Sequence, residues 1–250
     1  MPNASRTSEK RIQIVSVAGE DYEKIAAAFC GFDLLYRRRI DELEMPAVLH
    51  GVTWQQYEAL LDALPERYLR QAYYRGTLEL REKTMWQQHT KSLIDQFIGA
   101  AALEFGIRMA SLGSTTRTKK ALQCGIEPDE SYYFAHERAA RWDCDIGPED
   151  GPPPDLVVET DFHHAELDRL IVLRLLEVPE VWKYDGTWLT FHRLSANKNY
   201  EVSERSLWFP FLAPQDVQPF LENEATRDDN ARTRAFLKHA RRQRKQARQD

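Results

Sequence analysis

The chain has 250 residues, 42% of them hydrophobic and 11% aromatic, enough to bury a sizeable core in one large domain with appendages or in two small ones. Charged residues make up 29%, which argues against a disordered chain, and no apolar run approaches the roughly 20 residues of a bilayer span. Net charge is −5 but unevenly placed: residues 227–250 hold nine Lys/Arg and three Asp/Glu, a local +6 that leaves −11 on the rest. So acidic a body argues against a protein that coats duplex nucleic acid; local basic patches or metal ions would have to do that work. The first residues lack the apolar core of a signal peptide, so the expected location is the cytoplasm. Cys30, Cys124 and Cys144 are odd in number and far apart, which fits reduced thiols rather than a disulfide framework or a zinc site.

In chain order, residues 1–47 read as an N-terminal extension. They hold a strand over Ile12–Val17, a helix from about Asp21, and a charged connector around Arg37-Arg38-Arg39. Thr53, with Gln56 three residues on, is a capping box for a helix whose face carries Trp54, Tyr57, Leu60, Leu61 and Leu64. Pro65 ends it. Tyr73 to Leu80 alternates as one strand, with Thr77 and Glu79 on one face and Leu78 and Leu80 on the other. An amphipathic helix runs from about His89 to Phe105, with Gly106 as its C-terminal stop.

Strands are expected over Ile107–Leu112 and Glu127–Phe134, and a turn-rich stretch follows from Gly147 to Pro154. Leu156, Val157 and Val158 then form a buried strand on which Asp155, Val157, Glu159 and Asp161 share a face. A helix over 165–176 leads to a hairpin closed by a two-residue Asp185-Gly186 turn, and a last strand lies near Tyr200–Ser203. Residues 222–250 read as an exposed basic tail, helical or frayed. Residues 48–221 are therefore the main domain: α/β, a central mixed sheet flanked by helices.

Carboxylates on an apolar strand are costly to desolvate unless a cation joins them. Residues i and i+2 stand roughly 7 Å apart along a strand, so Glu159 and Asp161 can converge on one ion or its waters. Glu79, Asp129 and His89 are the other chemistry-bearing candidates. Taken singly, Asp129 and Asp155 fit strand starts after proline, His89 fits a helix start, and His163-His164 fit a loop. A pair of carboxylates flanking a sugar cleft is a separate reading of the same acids.

Several motifs in series resemble one family: Gly51-Val-Thr-Trp-x-x-Tyr57, Tyr74-Arg-Gly-Thr-Leu-Glu79, His89, Leu112-Gly-Ser-Thr-Thr116, Gly125-Ile-Glu-Pro-Asp129-Glu-x-Tyr-Tyr133, Pro153-Pro-Asp-Leu-Val-Val-Glu159, Leu167-Asp-Arg-Leu170 and Val178-Pro-Glu-Val-Trp182. Over roughly residues 48–212 the chain is similar to the Uma-two family of endonucleases, of the restriction-endonuclease-like PD-(D/E)XK fold. The resemblance implies a DNA endonuclease dependent on Mg²⁺ or Mn²⁺. Asp129 and Glu159 would be the principal metal ligands, Glu79 and Asp161 would assist, and His89 would orient water or touch the scissile phosphate. Arg117, Lys119 and Lys120, in an expected exposed loop, and Arg169 are candidates for substrate phosphate. Where the general motif has Lys, two residues after the acid, this chain has Asp161; His89, Lys91, Arg169 or a second metal at Asp161 could substitute. That departure and the acidic body leave open a catalytically degenerate module that binds nucleic acid or a protein without cleavage. Cutting both strands calls for two centres, which a homodimer would supply.

Overall fold

The computed structural model describes residues 11–14, 33–36, 47–63, 70–81, 84–142, 149, 151–161, 167–222 and 228–249. Two short strands, β1 (Arg11–Ile14) and β2 (Asp33–Tyr36), pair in parallel. The helix expected from Asp21, the Arg37–Arg39 connector, Pro65 and His163-His164 lie outside the described residues.

A five-stranded antiparallel sheet combines β3 (Ala47–His50), β4 (Arg70–Tyr74), β5 (Thr77–Arg81), β7 (Arg117–Lys119) and β8 (Cys124–Ile126), in the order β3-β5-β4-β8-β7. Helix α1 (Trp54–Ala63) leads from β3 toward β4, and the expected capping box is present: Gln56 N donates to Thr53 Oγ1 and Thr53 N to Gln56 Oε1. The single strand expected over Tyr73–Leu80 is in fact the hairpin β4–β5, with Tyr74 opposite Thr77. Arg75 and Gly76 both take positive φ, 45° and 92°, the turn that matches strand twist. Apolar alternation passes straight through that turn and hides it.

The six-stranded mixed sheet has the order β13-β12-β11-β10-β9-β6. It contains β6 (Ala110–Gly113), β9 (Glu130–Tyr133), β10 (Leu156–Thr160), β11 (Glu180–Tyr184), β12 (Leu189–Leu194) and β13 (Tyr200–Ser203). Strand β10 is interior, antiparallel to β9 and parallel to β11. The parallel pair is joined through α4 (Arg169–Leu175), whose N-cap is Asp168. Helix α3 (Glu137–Trp142) follows β9. The β11–β12 hairpin turns at Asp185, but through four residues: Tyr184 pairs with Leu189, and Asp185 Oδ1 accepts from Thr187 N and Trp188 N.

Alternation along β10 separates two cores. Leu156 and Val158 face α2 (Met85–Phe105), α5 (Pro214–Leu221) and α6 (Asp229–Gln246), among Phe97, Trp182, Phe191 and Phe236. Val157 faces the other way, toward Val172 and Leu173 of α4 and toward Ala72 and Ile126 of the five-stranded sheet. Glu159, two residues on, shares the Val157 face.

Helix α2 begins four residues before the expected start, at a capping box of Thr84 and Gln87, and ends as expected at Gly106 in the left-handed conformation. The basic tail departs from expectation, because α6 is docked rather than exposed. Phe236 stacks on Phe97 at 4.7 Å, Ala240 is fully buried, and Arg241 forks onto Glu104 at 2.7 and 2.8 Å. Phe236 and Ala240, one turn apart, seat it, and two of its own arginines join the contact: Arg232 is buried and Arg244 lies over the Phe105 ring at 4.6 Å.

Candidate active site

Strands β5 and β10, the residue before β9, and the start of α4 bring their charged side chains to one buried place. Glu79 comes from β5, Asp129 from just before β9, Glu159 from β10, and Asp161 from just beyond it. Asp129 and Glu79 are 0% exposed and Glu159 2%. Gly125 contributes by being small: a Cβ there would lie 2.3 Å from the Tyr57 hydroxyl, which itself donates to Gln71 Oε1 at 2.6 Å.

Two guanidinium groups bind these acids together. Arg81, from β5, places Nη2 2.7 Å from Glu159 Oε2 and 3.3 Å from Asp129 Oδ1, and Nη1 3.3 Å from Asp161 Oδ1. Arg169, the first residue of α4, donates Nε to Glu159 Oε2 at 2.8 Å and Nη2 to the Glu127 carbonyl at 2.6 Å. Its Nη1 lies 3.7 Å from Glu79 Oε1. Asp129 uses its other oxygen to accept from Thr160 N at 2.7 Å and Thr160 Oγ1 at 2.6 Å, which ties the start of β9 to the end of β10.

The charges are stacked against desolvation. Burial alone would lower the pKa of Arg81; the carboxylates of Asp129, Glu159, Asp161 and Glu79 reverse this and raise it. Glu79 moves the other way. Burial lifts its pKa above the usual carboxylate range, with Arg169 and Arg81 opposing, and among the described residues neither of its buried oxygens has a hydrogen-bond partner. Burial also raises Glu127, against the ion pair with Arg70.

The structure therefore assembles Glu79, Asp129, Glu159, Asp161 and Arg169. The ring of His89 instead engages Asp229 of α6 at 3.1 Å, and Lys91 pairs with Glu130 at 2.5 Å. Arg117 is not in an exposed loop. It lies in β7, is 7% exposed, and donates to the carbonyls of Gly151 and Pro152. Lys119 and Lys120 are exposed, and Lys120 Nζ pairs with Glu58 at 3.2 Å.

Sequence reasoning missed Arg81 and Lys183. The i, i+2 rule that joins Glu159 to Asp161 also joins Glu79 to Arg81 on β5. Lys183 sits opposite Glu159 in the parallel β10–β11 register and lines a small opening with Glu159, Asp161, Arg169 and Leu170. A cation thus enters beside the acid from the neighbouring strand, whereas position 161, two residues along β10, carries an acid.

Four carboxylates supply the hard oxygen donors that Mg²⁺ or Mn²⁺ prefers, and two guanidinium charges leave an excess of negative charge when all four are ionised. In donor chemistry the set suits a divalent ion. In arrangement it does not: Arg81 stands between Asp129, Glu159 and Asp161, and among the described residues no three His, Cys, Asp or Glu side chains surround a common ion position.

No helix among the described residues is long and apolar enough to cross a membrane. No protein-family model and no curated protein matches the chain. Among solved structures, the chain is similar to one from Anabaena variabilis described as a "putative nuclease belonging to DUF820", at 14% identity and a TM-score of 0.43, covering 60% of this chain and 86% of that one. So distant a likeness leaves function to be argued from the side chains themselves.

Proposed function

We propose that this chain is a metal-dependent endonuclease of the restriction-endonuclease-like PD-(D/E)XK type, acting on DNA phosphodiester bonds. One observation carries the reading: Glu79, Asp129, Glu159 and Asp161, spread over 83 positions of sequence, meet in one buried centre. Burying that much like charge is expensive, and folds keep such arrangements mainly at functional sites. Asp129 and Glu159 would hold Mg²⁺ or Mn²⁺, with Glu79 and Asp161 assisting. When bound, the ion would activate water and neutralise the leaving oxygen.

The chain's own residues set the stage. Thr160 locks one oxygen of Asp129, so the other is aimed at the centre. Arg169 fixes Glu159 and offers a cation to a phosphate oxygen. Lys183, at the opening, is placed to orient water. The second reading, a non-cleaving nuclease-fold module, is favoured by the two arginines that already pair with the acids.

Supercoiled plasmid incubated with the protein and Mn²⁺ or Mg²⁺ separates them. Nicking by wild type that is lost in both Asp129→Asn and Glu159→Gln supports the enzyme. A salt-sensitive gel shift with no nicking supports the module.

A further inference from the structure

We propose that Arg81 is a resident counter-ion standing in the place of the divalent cation, so that the carboxylates take up Mg²⁺ or Mn²⁺ only when its guanidinium gives way. The inference rests on the reading of the four acids as a cation centre, and it concerns what controls access to that centre. Arg81 does what a metal would do: with two nitrogens it reaches carboxylates at three chain positions, 129, 159 and 161, at 3.3, 2.7 and 3.3 Å. A guanidinium and a divalent ion cannot both occupy that space.

The closed arrangement is incompletely satisfied on both sides. Among the described residues, Arg81 Nε and both oxygens of Glu79 are buried without a hydrogen-bond partner, and Arg81 Nη1 has only its ion pair with Asp161. Glu79, which Arg169 Nη1 approaches only to 3.7 Å, leaves acceptors over for a stronger cation. Arg169 differs. Besides Glu159 it donates to the backbone carbonyls of Glu127 and Gln71, so it is built into the frame where β4, the segment before β9 and α4 meet. Among the described residues, the polar partners of the Arg81 side chain are acids of the centre, and it is the last residue of β5. Its side chain can leave without dismantling a backbone contact.

If the Arg81-displaced state is about a tenth populated or less, apparent metal affinity in the wild type falls by about tenfold or more relative to a chain without the guanidinium. The test is calorimetric titration of the full chain with MnCl₂ alone, beside Arg81→Met, which keeps volume and removes charge. Thermal melting with and without Mn²⁺ is the second readout. The expected result is Mn²⁺ binding about tenfold or more tighter in Arg81→Met than in wild type, lost again when Glu159→Gln is added. Mn²⁺ should raise the melting temperature of Arg81→Met and leave the wild type nearly unmoved. Equally tight binding by both proteins would overturn the counter-ion role while leaving the centre a metal site. Folded Arg81→Met that binds no Mn²⁺ overturns both readings. Should Arg81→Met not fold alone, Arg81→Gln and refolding in Mn²⁺ decide: recovery that depends on Mn²⁺ supports the proposal, and no recovery of either variant overturns it.

Discussion

A buried acid lies at each end of the apolar run of β10, Asp155 just before the strand and Glu159 within it, and the two are closed in opposite ways. Asp155, 1% exposed, accepts from Phe134 N at 2.7 Å and His136 N at 3.2 Å and pairs with His136 Nδ1 at 3.0 Å, all within the single segment after β9. Glu159, 2% exposed, is closed by guanidinium groups from β5 and α4, 78 and 10 residues away. Backbone amides cannot be exchanged for another ligand without unfolding the loop that holds them. Cations can be exchanged for a cation. The face they share thus carries a structural acid and an acid poised for a positively charged ligand.

The comparison can be broken at either end. The largest effect is expected from Arg169→Met, which strips Glu159 and Glu79 of a buried partner and should cost about 3–5 kcal/mol in urea unfolding. A loss near zero would mean that the Glu159 end tolerates missing charge and is not a tightly balanced centre. Asp155→Asn removes the charge but keeps one acceptor, and should cost about 1–3 kcal/mol while leaving plasmid nicking unchanged. Nicking lost in a folded Asp155→Asn would erase the distinction between the two acids.

The smallest effect is the most pH-specific. Because burial raises the folded-state pKa of Glu79, the fold favours its protonated form. That contribution is complete below the unfolded carboxylate value and is lost as pH rises through the raised value. Glu79→Gln should therefore raise the melting temperature at pH 8 and leave it nearly unchanged at pH 4. The opposite order would place a net stabilising charge at Glu79.

Much of the framework was legible in particular residues. Thr53 and Gln56, Gly106, the Leu156–Val158 run and the hairpin turning at Asp185, though through four residues rather than two, each act locally, through a cap, a left-handed stop, alternation or an Asx-type turn. The expectations that failed were those in which a local rule pointed two ways. Tyr73–Leu80 keeps strand periodicity across a two-residue turn, and residues 229–246 have helix propensity but only a sparse apolar face. Arg117 illustrates the same limit: a basic residue after Gly-Ser-Thr-Thr reads as exposed until β7 pairs with β8 and buries it.

For the centre, the amino-acid sequence determined which acids are candidates. Glu159 on an apolar strand and Asp161 two residues on follow from side-chain alternation and the cost of desolvating a carboxylate, whereas Asp129, which taken singly fits a strand start, is a ligand candidate through the family resemblance. Only the tertiary structure decided what neutralises them. The contacts of Arg81 and Arg169 with Glu159 span 78 and 10 residues, and the Lys183 opposition to Glu159 depends on the parallel register that α4 connects. Ion pairing is set by distance in space, and no local periodicity encodes which strand end will meet which helix start.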